Sequence, residues 1–240
     1  MCWRYTLPMN NRSILFLLLF LLLFSFLLLA WLQQFTGLDF AIENLYFDPI
    51  SHTFPWKNSW FAKDLMHGYL KNVLVMLGTA ILLLCAIDYF CPIKKISPIL
   101  SVRLRFIALS AIMIPALIAA LKSQSSSHCP WDIEQYGGNY PHLTLFESLP
   151  SALKAGHCLP AGHASTGLWL AAFCVFWLPN APRKAFLVFV FGLSVGFVMG
   201  WVQQMRGAHF ISHTLWSMWL ASLVIFCLLI LFWPALQTKQ

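Results

Sequence analysis

Two short stretches of this sequence carry the residue types that proton transfer and phosphate chemistry require. His163 begins one apolar run, and Arg206, His209 and His213 stand at the start of a later one. Residues four apart share one face of a helix, so His209 and His213 point to the same side. An imidazole near neutral pH can attack an electrophile or pass on a proton. The pattern therefore indicates histidine chemistry at the starts of two helices.

Cationic groups accompany these histidines. Lys122 ends an earlier apolar run, and Arg206 lies close to His209 in the chain. Gly162 comes just before His163 at a helix start, where backbone N–H groups are free and the helix dipole adds positive potential. Such a set suits an anion, and a phosphate group fits it best. Lys122, Arg206 and Gly162 are therefore candidate phosphate ligands.

The composition indicates that membrane helices position these residues. The chain has 240 residues, of which 60% are hydrophobic and 10% are charged, whereas a soluble domain carries about 25% charged residues. The net charge is +7, but the basic residues lie beside apolar runs. This arrangement is typical of membrane topology signals and argues against nucleic-acid binding. The length suits a single membrane domain, residues 1–240.

The hydropathy pattern predicts an all-α polytopic membrane protein, a helical bundle with six transmembrane helices. The predicted spans are, approximately, residues 13–32, 73–90, 106–121, 163–178, 185–202 and 209–232. The connections that carry the candidate site residues then all lie on one face of the membrane.

The basic residues test this topology independently, because the spans rest on hydropathy alone. Clusters around Arg4, Lys94 and Arg183 all fall on the face opposite the histidines, and basic loops stay in the cytoplasm. The outer loops are then 33–70, 122–162 and 203–208. The histidines therefore face the outer side of the membrane.

The first outer loop is rich in aromatic residues. Its stretch Trp60–Tyr69 has the character of an interfacial helix with aromatic rings at headgroup level. His67 lies in this stretch, and a lone histidine in such a segment is usually structural. We therefore do not count His67 among the site residues.

At this point the residues resemble the type 2 phosphatidic acid phosphatase superfamily of membrane lipid phosphatases, which is related in fold to vanadium haloperoxidases. The three motifs of that family read K-x6-R-P, P-S-G-H and S-R-x5-H-x3-D. Lys122 and Pro130 match the first motif, in which Cys129 replaces the arginine. Residues 160–163 match the second motif, with Ala161 in place of serine.

The third motif is matched at its histidine. His209 stands at that position, and His213 takes the place of the aspartate. Gln203 occupies the arginine position, and Arg206 lies one helical turn closer to His209. The order, the spacing and the membrane face agree with the family over roughly residues 70–235.

The resemblance implies a mechanism. His209 would attack phosphorus and form a phosphohistidine, and His163 would protonate the leaving oxygen as the general acid. His213 would accept a hydrogen bond from His209 or relay its proton, in place of the acidic partner. Lys122, Arg206 and the N–H groups at Gly162 and His163 would neutralise the phosphate oxygens. No metal and no cofactor is implied.

The nucleophile has an alternative. His213 could take this role, in which case Arg206 precedes it by six intervening residues and not by the five of the family motif. The sequence Gly-Ala-His-Phe precedes the start of a helix, as it does in the family, and this favours His209.

The two cysteines of the second outer loop form a candidate disulfide. Cys129 falls on the position of the family arginine, and Cys158 comes just before the second motif. Both lie in an oxidising compartment under the predicted topology. A bond between them would hold the part of the loop that carries the first motif against the second motif. The alternative is two unpaired thiols.

The expected substrate is a lipid phosphate of the isoprenoid, glycerophospholipid or lipid A class, and the expected partners are membrane lipids. The resemblance points to a bacterial inner membrane with the active site facing the periplasm. A lipid phosphotransferase and a non-catalytic protein that binds lipid phosphate are the alternatives. A haem-binding cytochrome is disfavoured, because no predicted span carries a histidine at mid-depth or at its inner end.

Overall fold

The computed structural model of the chain describes residues 9–237, with side chains from residue 15 onwards. The side chains of Arg4 and Arg12, which belong to the predicted basic N-terminus, lie outside this description. Within the described residues the architecture is all-helical, and the only extended pairings are two isolated bridges, Asp48 with Thr53 and Ile133 with Tyr140.

Seven helical elements make up the bundle. They are α1 (Met9–Phe35), α2 (Leu38–Glu43), α3 (Trp60–Phe90), α4 (Pro98–Gln124), α5 (Gly162–Leu168), α6 (Pro182–Met205) and α7 (Ile211–Leu236). The first part of α3, Trp60–Leu70, is a π-helix. A 3-10 helix, Trp169–Trp177, continues α5. Short 3-10 turns at Pro130–Asp132 and Glu134–Tyr136 lie in the connection between α4 and α5.

Five of these helices, among the residues described, are long and apolar enough to cross a membrane. They are α1 from Leu15 onwards, α3, α4, α6 and α7. The fourth predicted span, residues 163–178, corresponds to α5 and its 3-10 continuation, which ends at Trp177. Six crossings were predicted, and five meet the length and hydropathy of a membrane helix.

The second predicted span begins earlier in the structure than in the sequence-based prediction. The stretch Trp60–Tyr69 is not a separate interfacial helix but the start of α3, which continues to Phe90. Ser59 caps this start, because its hydroxyl accepts a hydrogen bond from the N–H of Ala62 at 3.2 Å. The chain has no proline between Ser59 and Pro92 that would end the helix sooner.

The connections that carry the candidate site residues meet at one end of the bundle, which we call the site end. It is the end at which α4 stops and α5 and α7 begin. Two contacts join the three connections there. The N–H of Trp131 donates to the carbonyl of Gly207 at 3.0 Å, and Nε of Arg206 donates to the carbonyl of Lys57 at 3.0 Å. Aromatic side chains fill the space between these loops, with Phe54, Tyr136 and Phe210 buried among them.

The main core lies between α4, α5, α6 and α7. A row of glycines in α6 lets neighbouring elements approach its backbone. A methyl group on Gly192 would lie 2.2 Å from the backbone nitrogen of Ala171, and one on Gly200 would lie 2.3 Å from Cγ2 of Thr214. Only glycine fits such contacts, so α6 packs closely on the 3-10 segment and on α7.

By contrast, α1 leaves a space where it passes the bundle. An apolar chamber of about 800 Å³ lies between α1, α6, α7 and the 3-10 segment. Its walls include Leu22, Leu28, Phe186, Phe189, Leu229 and Trp233. Its lining runs along much of α1 and α7 but includes only the first two turns of α6.

Candidate active site

The start of α5 is tied to the start of α7. The N–H of Ala161 donates to the carbonyl of His213 at 3.1 Å, and the hydroxyl of Ser217 donates to the carbonyl of Ala161 at 3.0 Å. His163 follows immediately as the second residue of α5. These bonds fix the position of His163 relative to the two histidines that the sequence places near α7.

The three predicted histidines lie together, with His209 in the middle. The ring centre of His209 is 6.3 Å from that of His163 and 5.7 Å from that of His213. The ring planes of His163 and His209 are inclined by 51°. His209, the preferred candidate for the nucleophile, thus lies beside the predicted general acid.

His209 is almost completely buried, at 2% exposure. Its Nδ1 lies 3.3 Å from Sγ of Cys158. Burial, reinforced by the charges of His213 and Lys122, holds the pKa of His209 well below its usual range. The imidazole is therefore neutral near pH 7, which is the form that can attack phosphorus.

Cys129 and Cys158 form a disulfide with a Cα–Cα distance of 5.3 Å. This bond connects the loop that follows α4 to the residues just before α5. Sulfur atoms of both cysteines lie near His209, and the donor atoms of the three residues fall within 4.8 Å of one another. Because metal ligation by cysteine needs a thiolate, this group fits no metal while the disulfide is intact.

His213 is buried and packs edge-on against Phe210, with ring centres 5.6 Å apart. Its Nδ1 is buried and makes no hydrogen bond within the described part of the chain. His213 therefore does not form, through this atom, the hydrogen bond to His209 that its predicted role requires. The backbone carbonyl of His213 instead holds Ala161.

Lys122 reaches the start of α5 from the end of α4. A methyl group placed on Gly162 would lie 3.8 Å from Nζ of Lys122. The ammonium group therefore lies over the first turn of α5, beside the free N–H groups of Gly162 and His163. This is the arrangement that the sequence predicted for binding a phosphate oxygen.

Arg206 caps the end of α6 and is held at fixed points. Nη1 donates to Oε1 of Gln203 at 2.9 Å, and Nε donates to the carbonyl of Lys57. Gln203, which stands at the arginine position of the third motif, therefore supports Arg206 and does not act in its place. Burial lowers the pKa of Arg206, but a guanidinium stays protonated in proteins. Its charge acts on His163.

The structure adds His67 to the site. Its ring centre is 4.0 Å from that of His163, which is closer than His209. This differs from the expectation from sequence, in which His67 belongs to a separate interfacial segment and has a structural role. A signal was available in the basic residues Lys63, His67 and Lys71, which repeat every four residues.

Asp39 is a second residue that the sequence did not single out. One carboxylate oxygen accepts from the N–H of Ser212 at 2.9 Å, and the other accepts from its hydroxyl at 2.6 Å. Ser212 lies in the first turn of α7, between His209 and His213. Asp39 thus caps α7 from a distant part of the chain. Burial raises the pKa of this carboxyl, and the bonds from Ser212 oppose the change.

Comparison with known proteins gives one family. The family model of the PAP2 superfamily matches residues 103–237, more than half of the chain. The matched range includes Lys122, His163, Arg206 and His209, whereas Asp39 and His67 precede it. No curated protein and no solved structure matches the chain significantly.

Proposed function

The chain belongs to the PAP2 superfamily, and from this premise we propose that it is an integral-membrane phosphatase acting on a phosphomonoester or pyrophosphate of a lipid. The observation that carries the proposal is the pair His163 and His209, which lie 6.3 Å apart between ring centres at the starts of two apolar helices. Lys122 and Arg206 add two cations to the same place.

The reaction proceeds in two steps. Nε2 of neutral His209 attacks phosphorus, and the bond between phosphorus and the lipid oxygen breaks as His163 gives that oxygen its proton. Water then attacks the phosphohistidine, His163 takes a proton from the water, and phosphate leaves His209. Because Nδ1 of His209 faces the sulfur of Cys158, Nε2 is the nitrogen left for phosphorus.

The cations act on the charge that builds up on the phosphate oxygens. Lys122 lies by the first turn of α5, and Arg206 adds a second positive charge that acts on His163. Preorganised charges of this kind contribute about 3–4 kcal/mol for each donor in other enzymes. No step of the proposed reaction needs a metal.

The proposed topology has six crossings with the site end outside. The α5 helix and its 3-10 continuation span about 28 Å, because a 3-10 helix rises about 2.0 Å per residue and an α-helix about 1.5 Å. This length is close to the hydrocarbon thickness of about 30 Å. The basic residues Lys94, Lys95, Arg183 and Lys184 lie at the opposite end, which the positive-inside rule assigns to the cytoplasm.

The disulfide supports the same orientation. Disulfides persist in oxidising compartments such as the bacterial periplasm, and Cys129–Cys158 lies at the site end. A lipid phosphate in the outer leaflet would place its headgroup at the depth of His163 and His209. We therefore infer that the enzyme works at the periplasmic face of an inner membrane.

A non-catalytic protein that binds lipid phosphate is the second candidate. The observation that favours it is His213, which replaces the acidic partner of the nucleophile and whose Nδ1 makes no hydrogen bond among the described residues. A phosphotransferase, which passes the phosphoryl group to another lipid, shares the first reaction step and differs only in the acceptor.

The test is phosphate release by detergent-purified protein in EDTA from a panel of isoprenoid, glycerophospholipid and lipid A phosphates. Release should survive EDTA and be lost in His209→Ala and in His163→Ala. His52→Asn is the matched control, since His52 is exposed, and asparagine tolerates its positive φ of 52°. Binding of the lipids without release by folded wild-type protein would favour the non-catalytic alternative.

A further inference from the structure

His67 lies against the predicted general acid, although its element is outside the region that matches the family. The ring centres of His67 and His163 are 4.0 Å apart, with the planes inclined by 44°. This distance is short enough for direct contact between the rings. The ring of His67 therefore packs against the imidazole that must deliver a proton to the leaving oxygen.

The usual means of orienting a catalytic histidine is missing at His163. In most such sites the second ring nitrogen donates to a carboxylate or a carbonyl, and this bond fixes the ring. Nδ1 of His163 is buried without a hydrogen-bond partner in the part of the chain that the structure describes. The orientation of the ring must then come from packing.

Several charged or titratable groups lie around His163, with His67 among them. Lys71 lies on the same helix as His67, Lys122 comes from α4, and Arg206 comes from the end of α6, and all three act on His163 electrostatically. His209 lies farther away, at 6.3 Å between ring centres. Of these neighbours, His67 is the one whose ring lies against that of His163.

The π-helical start of α3 provides the backbone for this contact. In Trp60–Leu70 the hydrogen bonds run over one more residue per turn than in an α-helix. The side chains therefore follow a different register from that of Lys71–Phe90. Nδ1 of His67 is also buried without a partner among the described residues, so no hydrogen bond from that atom explains its position.

We propose that His67 is a positioning residue for the general acid: its ring packs on His163 and holds that imidazole toward the leaving oxygen. This inference rests on the proposed phosphatase function and deepens it. Small errors in the orientation of a catalytic group reduce rates strongly, and general acid catalysis is worth about a hundredfold to ten-thousandfold.

The dependence on the leaving group provides the test. An alkyl lipid phosphate has a poor leaving group that needs a proton, whereas an aryl phosphate such as p-nitrophenyl phosphate has a good one that hardly does. We expect His67→Ala to lower kcat for the alkyl substrate about tenfold to a hundredfold and kcat for the aryl substrate less than about threefold. His163→Ala should show the same selectivity to a greater degree.

His67→Phe separates the positioning role from other roles. Phenylalanine keeps a flat ring against His163 but cannot carry a proton, so this variant should retain most of the wild-type kcat for the alkyl substrate. Equal losses in His67→Phe and His67→Ala would overturn the proposal, because ring packing would then not be what matters. Equal losses for both substrates in His67→Ala would overturn it too, since they indicate a general effect on the fold.

Two further outcomes distinguish this inference from the function on which it rests. The inference alone would be refuted if the wild type hydrolyses the alkyl substrate, His163→Ala is inactive and His67→Ala has unchanged activity. A wild type that hydrolyses neither substrate would refute the phosphatase function and the inference with it.

Discussion

At the scale of single residues, the geometry distinguishes His209, which precedes α7, from His213 in its first turn. His209 lies next to His163, whereas His213 packs on Phe210 and supports Ala161 through its backbone. Burial keeps His209 neutral near pH 7. These contacts favour His209 over His213 as the proposed nucleophile.

The fixed position of Arg206 leads to a prediction. Arg206→Lys should lower kcat/KM about a hundredfold, because an ammonium group cannot bond both Gln203 and the carbonyl of Lys57 while it faces the phosphate. Steady-state kinetics on the best lipid phosphate would measure this loss. Arg103→Lys, a matched change at the opposite end of the bundle, should leave kcat/KM unchanged, and an equal loss there would contradict the prediction.

The sequence predicted four residues of the candidate site that the structure brings together, whereas local sequence patterns did not reveal His67 and Asp39. Lys122, His163, His209 and His213 stand at helix ends, which hydropathy locates well, and the structure brings them together. His67 depends on the register of a π-helix, which apolar periodicity does not reveal. Asp39 depends on a contact across 173 residues, which no local pattern encodes.

At the scale of elements, the spans were easier to predict than their boundaries. The apolar runs predict the ends of α1, α4, α6 and α7 to within a few residues or, at most, about two turns. The mixed hydropathy of the aromatic stretch before residue 73 predicts an interfacial segment. In the structure Ser59 caps the start of this stretch, and α3 runs through it without a break. The 3-10 form of Trp169–Trp177 arises where α6 presents its glycines, and sequence periodicity does not indicate it.

The disulfide gives a prediction for the loop between α4 and α5. Its two cysteines are 29 residues apart, and closing a loop of this size stabilises a folded chain by roughly 3–4 kcal/mol. The double variant Cys129→Ser/Cys158→Ser should therefore melt at a lower temperature in detergent. It should also lose activity, because the sulfur of Cys158 lies beside His209.

The control is the free cysteine at the other end of the protein. Cys91→Ser changes an exposed thiol and should alter neither melting nor activity. Treatment with a reductant should reproduce the double variant in the wild type and have no effect on the double variant itself. Wild-type melting that is insensitive to reductant would contradict the prediction.

At the scale of the whole molecule, a buried carboxyl group makes the stability depend on pH. Glu43 in α2 is completely buried, and neither carboxylate oxygen has a hydrogen-bond partner among the residues described. Burial, with the nearby charge of Asp39, raises the pKa of Glu43 from 4.5 to about 9. The folded protein therefore keeps a proton that the unfolded chain loses.

The sign of the effect follows from proton linkage. Between the unfolded pKa of 4.5 and the folded pKa of about 9, only the folded state binds the proton, so stability falls as pH rises. Glu43 contributes at most about 1.4 kcal/mol per pH unit to the slope of the unfolding free energy against pH. The melting temperature should drop steadily from pH 5.5 to pH 8.5.

Glu43→Gln should flatten this dependence, because glutamine keeps the shape of the side chain without a titrating proton. A smaller slope remains from Asp39, whose pKa is also raised. Glu134→Gln, at an exposed position, should follow the wild type. Parallel melting curves of Glu43→Gln and wild type across this pH range would refute the prediction.

The bond between Asp39 and Ser212 has a consequence for how the protein is made. Ribosomes add about 5–20 residues per second, so the 173 residues between the two partners take roughly 10–35 s to synthesise. During that interval Asp39 lacks Ser212, the group that donates two hydrogen bonds to it in the folded protein. The final helix must arrive before they can be covered. Completion of the candidate site is therefore a late event in biogenesis, because a segment made early can form this contact only after the last helix has been made.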